Sequence, residues 1–247
     1  MAGERLDKVL AKHGFGSRKD AQKLVRRQGV LLNGEPCHSP DQHINLDTDT
    51  LEVAGQVVEL RRHLHLMMNK CDGVVCSAKD GLHPTVFDLL AEDHRHQFLG
   101  GSLHLVGRLD IDTEGLLIFT TDGTLTHRLT SPKSHITKTY LVTLRDAVNP
   151  LQQKEISSKF LQGITIAPEG DDGEQLCQPA QLEWICENQC YLTITEGRYH
   201  QVKRMMAAVG NLVTALKRVS MGKLHLDPGL KSGGYRELSS EELALLG

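Results

Sequence analysis

The apolar residues of this 247-residue chain come in short groups closed off by glycine, proline and acidic turns. No apolar run approaches the ~18 residues that a membrane span needs; Leu116–Phe119 is typical of the longer ones. Leu6, Val9 and Leu10 stand at i, i+3, i+4 and predict a helix to about Lys12, with Gly14 placed to end it. Ser17 then serves as an N-cap, with Asp20 as a weak capping-box partner. Ala21, Leu24 and Val25 form the apolar side of a second helix, Lys23, Arg26 and Arg27 its opposite side, and Gly29 its stop. Val30–Leu32 followed by Asn33-Gly34 predicts a strand running into a hairpin-type turn. From Pro36 to Leu60, Pro40, Asp47, Asp49 and Gly55 suit short strands joined by acidic turns. Arg61-Arg62 then leads into a new apolar segment.

Beyond Leu64 the texture is mixed. His65–Asn69 and Val74–Ser77 read as strands around an Asp72-Gly73 turn, and His83-Pro84-Thr85 precedes a short helical stretch, Val86–Ala91. Thr139–Leu144 and Tyr191–Thr195 are β-type runs, and Pro168–Gln175 is an acidic surface loop. Val202, Met205, Met206 and Val209 form the core stripe of a helix ending at Gly210. No internal repeat or low-complexity stretch is evident.

Charge separates the chain into regions that its average hides. The formal net charge is −3, which taken alone argues against a uniformly basic nucleic-acid coat. Residues 1–30 carry eight basic and three acidic side chains, and residues 195–225 carry six basic and one acidic, so each segment is +5 and the remainder −13. Two such segments facing the same way would make a polyanion-binding surface. Six cysteines are too few for a disulfide scaffold. The first residues lack an apolar signal region, so the expectation is a cytoplasmic protein with free thiols. Cys71 and Cys76, Cys186 and Cys190, and the loose group His63, His65, His83, His94 and His96 lack tight metal-site spacing. Cys76, Cys186 and Cys190 read instead as small buried hydrophobes.

Three segments carry chemistry. In Gly107-Arg108-Leu109-Asp110-Ile111-Asp112-Thr113-Glu114-Gly115-Leu116-Leu117, three carboxylates precede an apolar run. The plain reading is a polar loop entering a buried strand. A phosphatase-type DxD loop is disfavoured, because Glu114 stands where that loop places threonine and Arg108 stands where its hydrophobic strand should be. A glycosidase carboxylate pair depends on a separation that sequence does not supply. In Glu196–Met205, Lys203 and Arg204 lie at the N-terminal end of a helix, against its dipole, and call for a phosphate or a carboxylate. Tyr140, on a predicted strand, is either half-buried core or a platform for a nucleobase.

Residues 5–34 resemble an S4-type RNA-binding domain, and GRLDIDTEGLL, KTYLVTL and EGRYHQVKRMMAAVGN resemble signature segments of the bacterial rRNA pseudouridine synthases. The likeness is closest to the RsuA-type small-subunit (16S) enzymes, and HPTV and YRELSSEE extend it over nearly the whole chain. It implies an α+β chain: an S4-like RNA-binding domain over 1–62, then a catalytic domain over 63–247 with a mixed, mainly antiparallel sheet and flanking helices. It also implies Asp110 as the catalytic aspartate, Tyr140 as the ring against the target base and Lys203 as the basic partner of Asp110. Arg108 would hold the displaced nucleotide, while Asp112 and Glu114 receive no catalytic role.

RNA contacts are expected from Arg5, Arg18, Lys19, Lys23, Arg26, Arg27, Arg108, Arg198 and Arg204. The reaction implied needs neither cofactor nor metal, and its partner would be 16S rRNA, free or within an assembling small-subunit particle, met by a monomer away from any membrane. The alternatives are a 23S rRNA enzyme of the same family and a catalytically silent rRNA-binding assembly factor. One departure stands out. The early motif usually reads Asn-Lys-Pro, and here Cys71 follows Lys70, leaving that turn without proline's constraint.

Overall fold

The punctuation near the N-terminus folds as the spacing predicts. A computed structural model describes residues 3–27, 29–46, 48–58, 60, 63–99, 103–169 and 173–246. Asp47, Arg61-Arg62, the centre of the 168–175 loop and the His96 side chain lie outside the described residues. The chain divides into two compact units, one of Met1–His65, Phe87–His104 and Phe119–Asp122, the other of Leu66–Val86, Leu105–Ile118 and Gly123–Gly247.

In the N-terminal region, β1 (Glu4–Arg5) leads into α1 (Leu6–Lys12) and α2 (Arg18–Arg26). Ser17 and Asp20 close a full capping box on α2. The strands β2 (Val30–Leu32), β3 (Glu35–Pro36), β5 (Leu51–Val53) and β6 (Gln56–Val58) form one small sheet in the order β3-β2-β5-β6, while β4 (His43–Ile44) pairs with β1. Asn33 and Gly34 both take positive φ, 54° and 84°, as the tight β2–β3 turn requires. Leu6, Val9, Leu10, Ala21 and Val25 join Val30, Leu51 and Val53 in one core.

Inside this region Asp7 is fully buried, and its carboxylate accepts from Arg5, Arg18 and Gln22. The Arg5 hydrogen bond outweighs burial and, with Gln22 and Arg18, holds the Asp7 carboxyl well below the usual carboxylate range. Because the folded pKa is depressed, this stability is present above the unfolded value, about 3.9, and is lost as pH falls through that value towards the folded one. Asp7→Asn is therefore expected to cost about 1–3 kcal/mol at neutral pH and to flatten the acid limb of the melting profile. An unchanged acid limb would contradict the assignment.

The second sheet is built on strands β7 (His65–Lys70), β8 (His104–Leu105), β9 (Thr113–Thr120), β10 (Lys138–Leu144), β13 (Gln181–Cys186), β14 (Gln189–Ile194), β15 (Val213–Met221), β16 (Leu224–His225) and β17 (Tyr235–Glu237). Its order is β13-β14-β10-β15-β9-β7-β17, with β16 on β15 and β8 on β9. The β15–β9 pairing is parallel, and β10, β14, β13, β16 and β17 pair antiparallel with their neighbours. Alternation along β10 and β14 buries Tyr140, Val142 and Leu144 with Cys190, Leu192 and Ile194. Central β9 is buried at nearly every position, as an apolar run closed in on both faces must be.

Gly115 in β9 adopts φ 101°, and a Cβ there would come within 2.2 Å of Arg218 O. Only glycine lets β9 and β15 approach so closely. A separate two-stranded pair, β11 (Thr165–Ile166) and β12 (Gln175–Leu176), precedes β13. The remaining helices are α3 (Glu92–Leu99), α4 (Gly123–Thr130), α5 (Pro150–Gln162), α6 (Gln201–Ala207) and α7 (Ser240–Ala244).

Several expectations are corrected. Val74–Ser77 is not a strand: Val75 makes one isolated bridge to Thr85, and the Cys76 sulfur turns to accept from Leu109 N–H. Val86–Ala91 is a run of turns, with the helix starting only at Glu92. Cys186, at the end of edge strand β13, is exposed rather than buried.

Candidate active site

The segment from Gly107 to Asp112 is a loop, and β9 begins at Thr113. Its shape is fixed from below. Gly73 N–H donates to Ile111 O (3.1 Å), and Leu109 N–H to Cys76 Sγ (3.4 Å). Lys70, at the end of β7, is fully buried, and its Nζ donates to Cys71 O, Ile111 O and Thr113 O at 3.1, 3.1 and 2.9 Å. Burial pushes the Lys70 ammonium pKa down. The turn that lacks proline at Cys71 is thus anchored through Lys70 and Gly73 instead.

Above this floor the acidic loop meets the start of α6. Lys203 Nζ lies 3.8 Å from Asp110 Oδ2 and 2.5 Å from Asp112 Oδ1. One ammonium therefore serves both carboxylates, and Asp112 takes the direct hydrogen bond. Burial opposes ionisation of Asp112, but the hydrogen bond and charge of Lys203 together hold its carboxyl below the ordinary range. The helix-end cation has found the carboxylate its position called for.

His200 completes the cluster. It precedes α6 in a left-handed conformation (φ 46°) and stacks on the Tyr199 ring, with centroids 3.8 Å apart. Its Nδ1–H donates to Glu169 (2.9 Å), which turns Nε2 to face Asp110 Oδ2 at 3.9 Å. Asp110 itself is 32% exposed, accessible to a reacting group.

The other expected site residues fall in distinct places. Tyr140 is 8% exposed on β10, opposite Leu192 on β14 and Arg218 on β15. Arg108 is exposed in the acidic loop. Arg204 is only 7% exposed: its guanidinium donates to Ala167 O and Tyr199 O and lies beside Glu169. It packs the site rather than lining an open surface. Arg198 is half-buried among Glu196, Gln175 and Leu176 O. Arg5 and Arg18 hold Asp7, and Lys23 pairs with Asp20. Lys19 and Arg26 are exposed on α2, and Arg27 is exposed just past its end.

The family model described as RNA pseudouridylate synthase matches residues 64–208. The chain belongs to this family. An S4 domain matches residues 4–49. The synthase is 44% identical to an uncharacterised RNA pseudouridine synthase of Bacillus subtilis, over 98% of each chain. It is also similar to proteins named ribosomal small subunit pseudouridine synthase A. The Haemophilus influenzae protein is 40% identical (98% of this chain, 99% of that one) and the Escherichia coli K12 protein 41% identical (97% and 98%). A solved structure titled as a pseudouridylate synthase aligns with a TM-score of 0.66 at 39% identity, covering 99% of this chain and 100% of that one.

A pseudouridine synthase is an isomerase that detaches uracil from its sugar and rejoins it through C5. The sequence segments single out Asp110, Lys203 and Tyr140 and place Lys70 in the early motif without giving it a role, while His200 and Glu169 carry no local signal. The bond from His200 to Glu169 joins residues 31 apart, which no local pattern shows.

Proposed function

We propose that this pseudouridine synthase isomerises one uridine of small-subunit (16S) rRNA, with Asp110 as the acting carboxylate, Lys203 as its charge partner and Tyr140 against the target base. One observation carries the reading. Asp110 is accessible and lies within 4 Å of both Lys203 and His200, on a loop pinned by Lys70. A carboxylate so held can act at C1′ as nucleophile or base. The base must leave its stack to reach it, and an aromatic face replaces part of the lost stacking, worth about 1–3 kcal/mol. The small-subunit target is supported by the names of the relatives. The protein acts as a cytoplasmic monomer on rRNA, free or in an assembling particle.

The test is conversion of uridine to pseudouridine in purified small- and large-subunit rRNA. Conversion confined to small-subunit RNA is expected, and conversion confined to large-subunit RNA would overturn the target.

Residues 1–62 form the RNA-holding domain and residues 63–247 the catalytic one. The exposed Lys19 and Arg26 on α2, with Arg27 just past its end, supply its phosphate contacts, with Lys23 beside them and Arg5 and Arg18 at its margin. Replacing Lys19, Arg26 and Arg27 by alanine in the full chain is expected to weaken RNA binding and reduce its log–log salt slope by about 2–3. An unchanged slope would show that α2 does not touch RNA.

A further inference from the structure

Arg218 is a buried cation that none of the roles above uses. It sits on β15 at 2% exposure, and its Nε donates to Leu116 O (2.8 Å). Its buried Nη2 has no hydrogen-bond partner among the described residues, and no carboxylate there pairs with it. Keeping a guanidinium desolvated without an anion is costly, so the position calls for an anion that arrives during function.

The sheet register says where that anion would be. Arg218 is directly opposite Tyr140 across the β10–β15 ladder and opposite Gly115 across β15–β9. Side chains so paired on one face lie within contact of each other. Two neighbours agree with this placement. Burial first, and the Arg218 charge second, lower the Lys138 pKa, two residues before Tyr140 on the same strand. Burial raises the Cys76 thiol, while the Leu109 amide and then the charges of Lys70, Arg218 and Arg108 oppose that rise. Cys76 is the sulfur bonded to Leu109 N–H, next to Asp110. Arg218 thus lies in electrostatic reach of both the Tyr140 strand and the Asp110 loop.

Depth decides which anion fits. Phosphates stay at the rim with the RNA backbone, whereas a flipped base is the part inserted deepest. Uracil becomes anionic during this reaction. When the N1–C1′ bond breaks, its electron pair stays on the ring and delocalises over N1, C5, O2 and O4. We propose that Arg218 binds an exocyclic oxygen of the target uracil and stabilises this anion until the ring rejoins. Meanwhile C1′ is held by a bond to an Asp110 carboxylate oxygen, or the neighbouring C2′ gives a proton to that carboxylate. In the second half this bond or proton transfer is reversed as the pair at C5 forms the C5–C1′ bond, the C5 proton leaves and N1 takes up a proton. Asp110 and Arg218 then return to their starting states. The assignment rests on the reading that Tyr140 lies against the target base.

Single-turnover rates separate this role from a packing role. The full-length protein is given small-subunit rRNA transcripts made with uridine or with 5-fluorouridine, whose ring leaves as a more stable anion. The readout is N-glycosidic cleavage at the target, followed by nucleoside mass analysis. Arg218→Met keeps the aliphatic stem and removes the charge. It is expected to slow cleavage on the order of 100-fold with uridine and on the order of 10-fold or less with 5-fluorouridine, with RNA affinity changed no more than a fewfold. Equal losses on both RNAs, or no loss, would overturn the role of Arg218 while leaving the proposed activity intact. If the wild-type protein converts neither RNA, the proposed activity itself fails, and the Arg218 assignment with it. Should Arg218→Met fail to fold, Arg218→Gln, which also removes the charge but keeps a polar end for the Leu116 carbonyl, carries the same comparison with the same expected and overturning results.

Discussion

Asp110→Asn is expected to lower uridine isomerisation by at least ~10³-fold, the loss typical when an acting carboxylate is removed, while the protein still folds and binds RNA to within a fewfold. The amide keeps the shape of the carboxylate but neither its nucleophilicity nor its basicity. Folding should be spared because Asp110 is partly exposed and its Lys203 contact is 3.8 Å long, whereas Lys203 keeps its direct bond to Asp112. Such partly exposed pairs contribute about 0–1 kcal/mol. Measuring tritium release from C5-labelled rRNA beside a binding isotherm separates the two effects. Turnover at the wild-type rate would remove Asp110 from the chemistry.

Lys70→Met should also be severe, by a different physical route. Lys70 touches no reacting group, but its Nζ supports the carbonyls of Cys71, Ile111 and Thr113 beneath the loop. Methionine fills the volume and removes this donor, although Ile111 O keeps its bond from Gly73 N–H. Each orphaned carbonyl costs about 1–3 kcal/mol, and release from burying a charge offsets part of that. The expected net loss of stability is about 1–3 kcal/mol. The effect on rate should exceed this, because displacing a catalytic group by ~1 Å costs about 100-fold. The result expected is a folded variant with near-normal RNA affinity and a kcat about 100-fold lower. Wild-type kcat in a folded Lys70→Met protein would show that the loop holds its shape without the lysine.

The sequence made the short, local features legible. Leu6, Val9 and Leu10, the Ser17–Asp20 capping box and the Asn33-Gly34 turn are set by interactions within a few residues, and each appears where its pattern placed it. The polar loop entering a buried strand at 107–120 was legible for the same reason. Misreadings came where tertiary contacts decide. Val74–Ser77 has strand-like residues, but its Cys76 sulfur is occupied by the Leu109 amide. Helix α5 went unforeseen, although Asn149 and Gln152 cap it, because Phe160 is its only buried residue and no apolar stripe announces it.

At the site, sequence segments supplied Asp110 and Lys203, and geometry altered their relation. Lys203 is shared, with Asp112 the nearer partner. Arg204, adjacent in sequence and equally basic, is consumed by Ala167 and Tyr199 carbonyls. Charge along a chain does not say which cation faces solvent.

The central claim is that Asp110 of this protein makes one pseudouridine in small-subunit rRNA. The most direct measurement maps pseudouridine in rRNA from cells lacking the protein, complemented either with the wild-type chain or with Asp110→Asn. The expected result is one small-subunit uridine left unmodified without the protein, restored by the wild-type chain and not by the variant. An rRNA map unchanged by loss of the protein, or restored equally by Asp110→Asn, would contradict it.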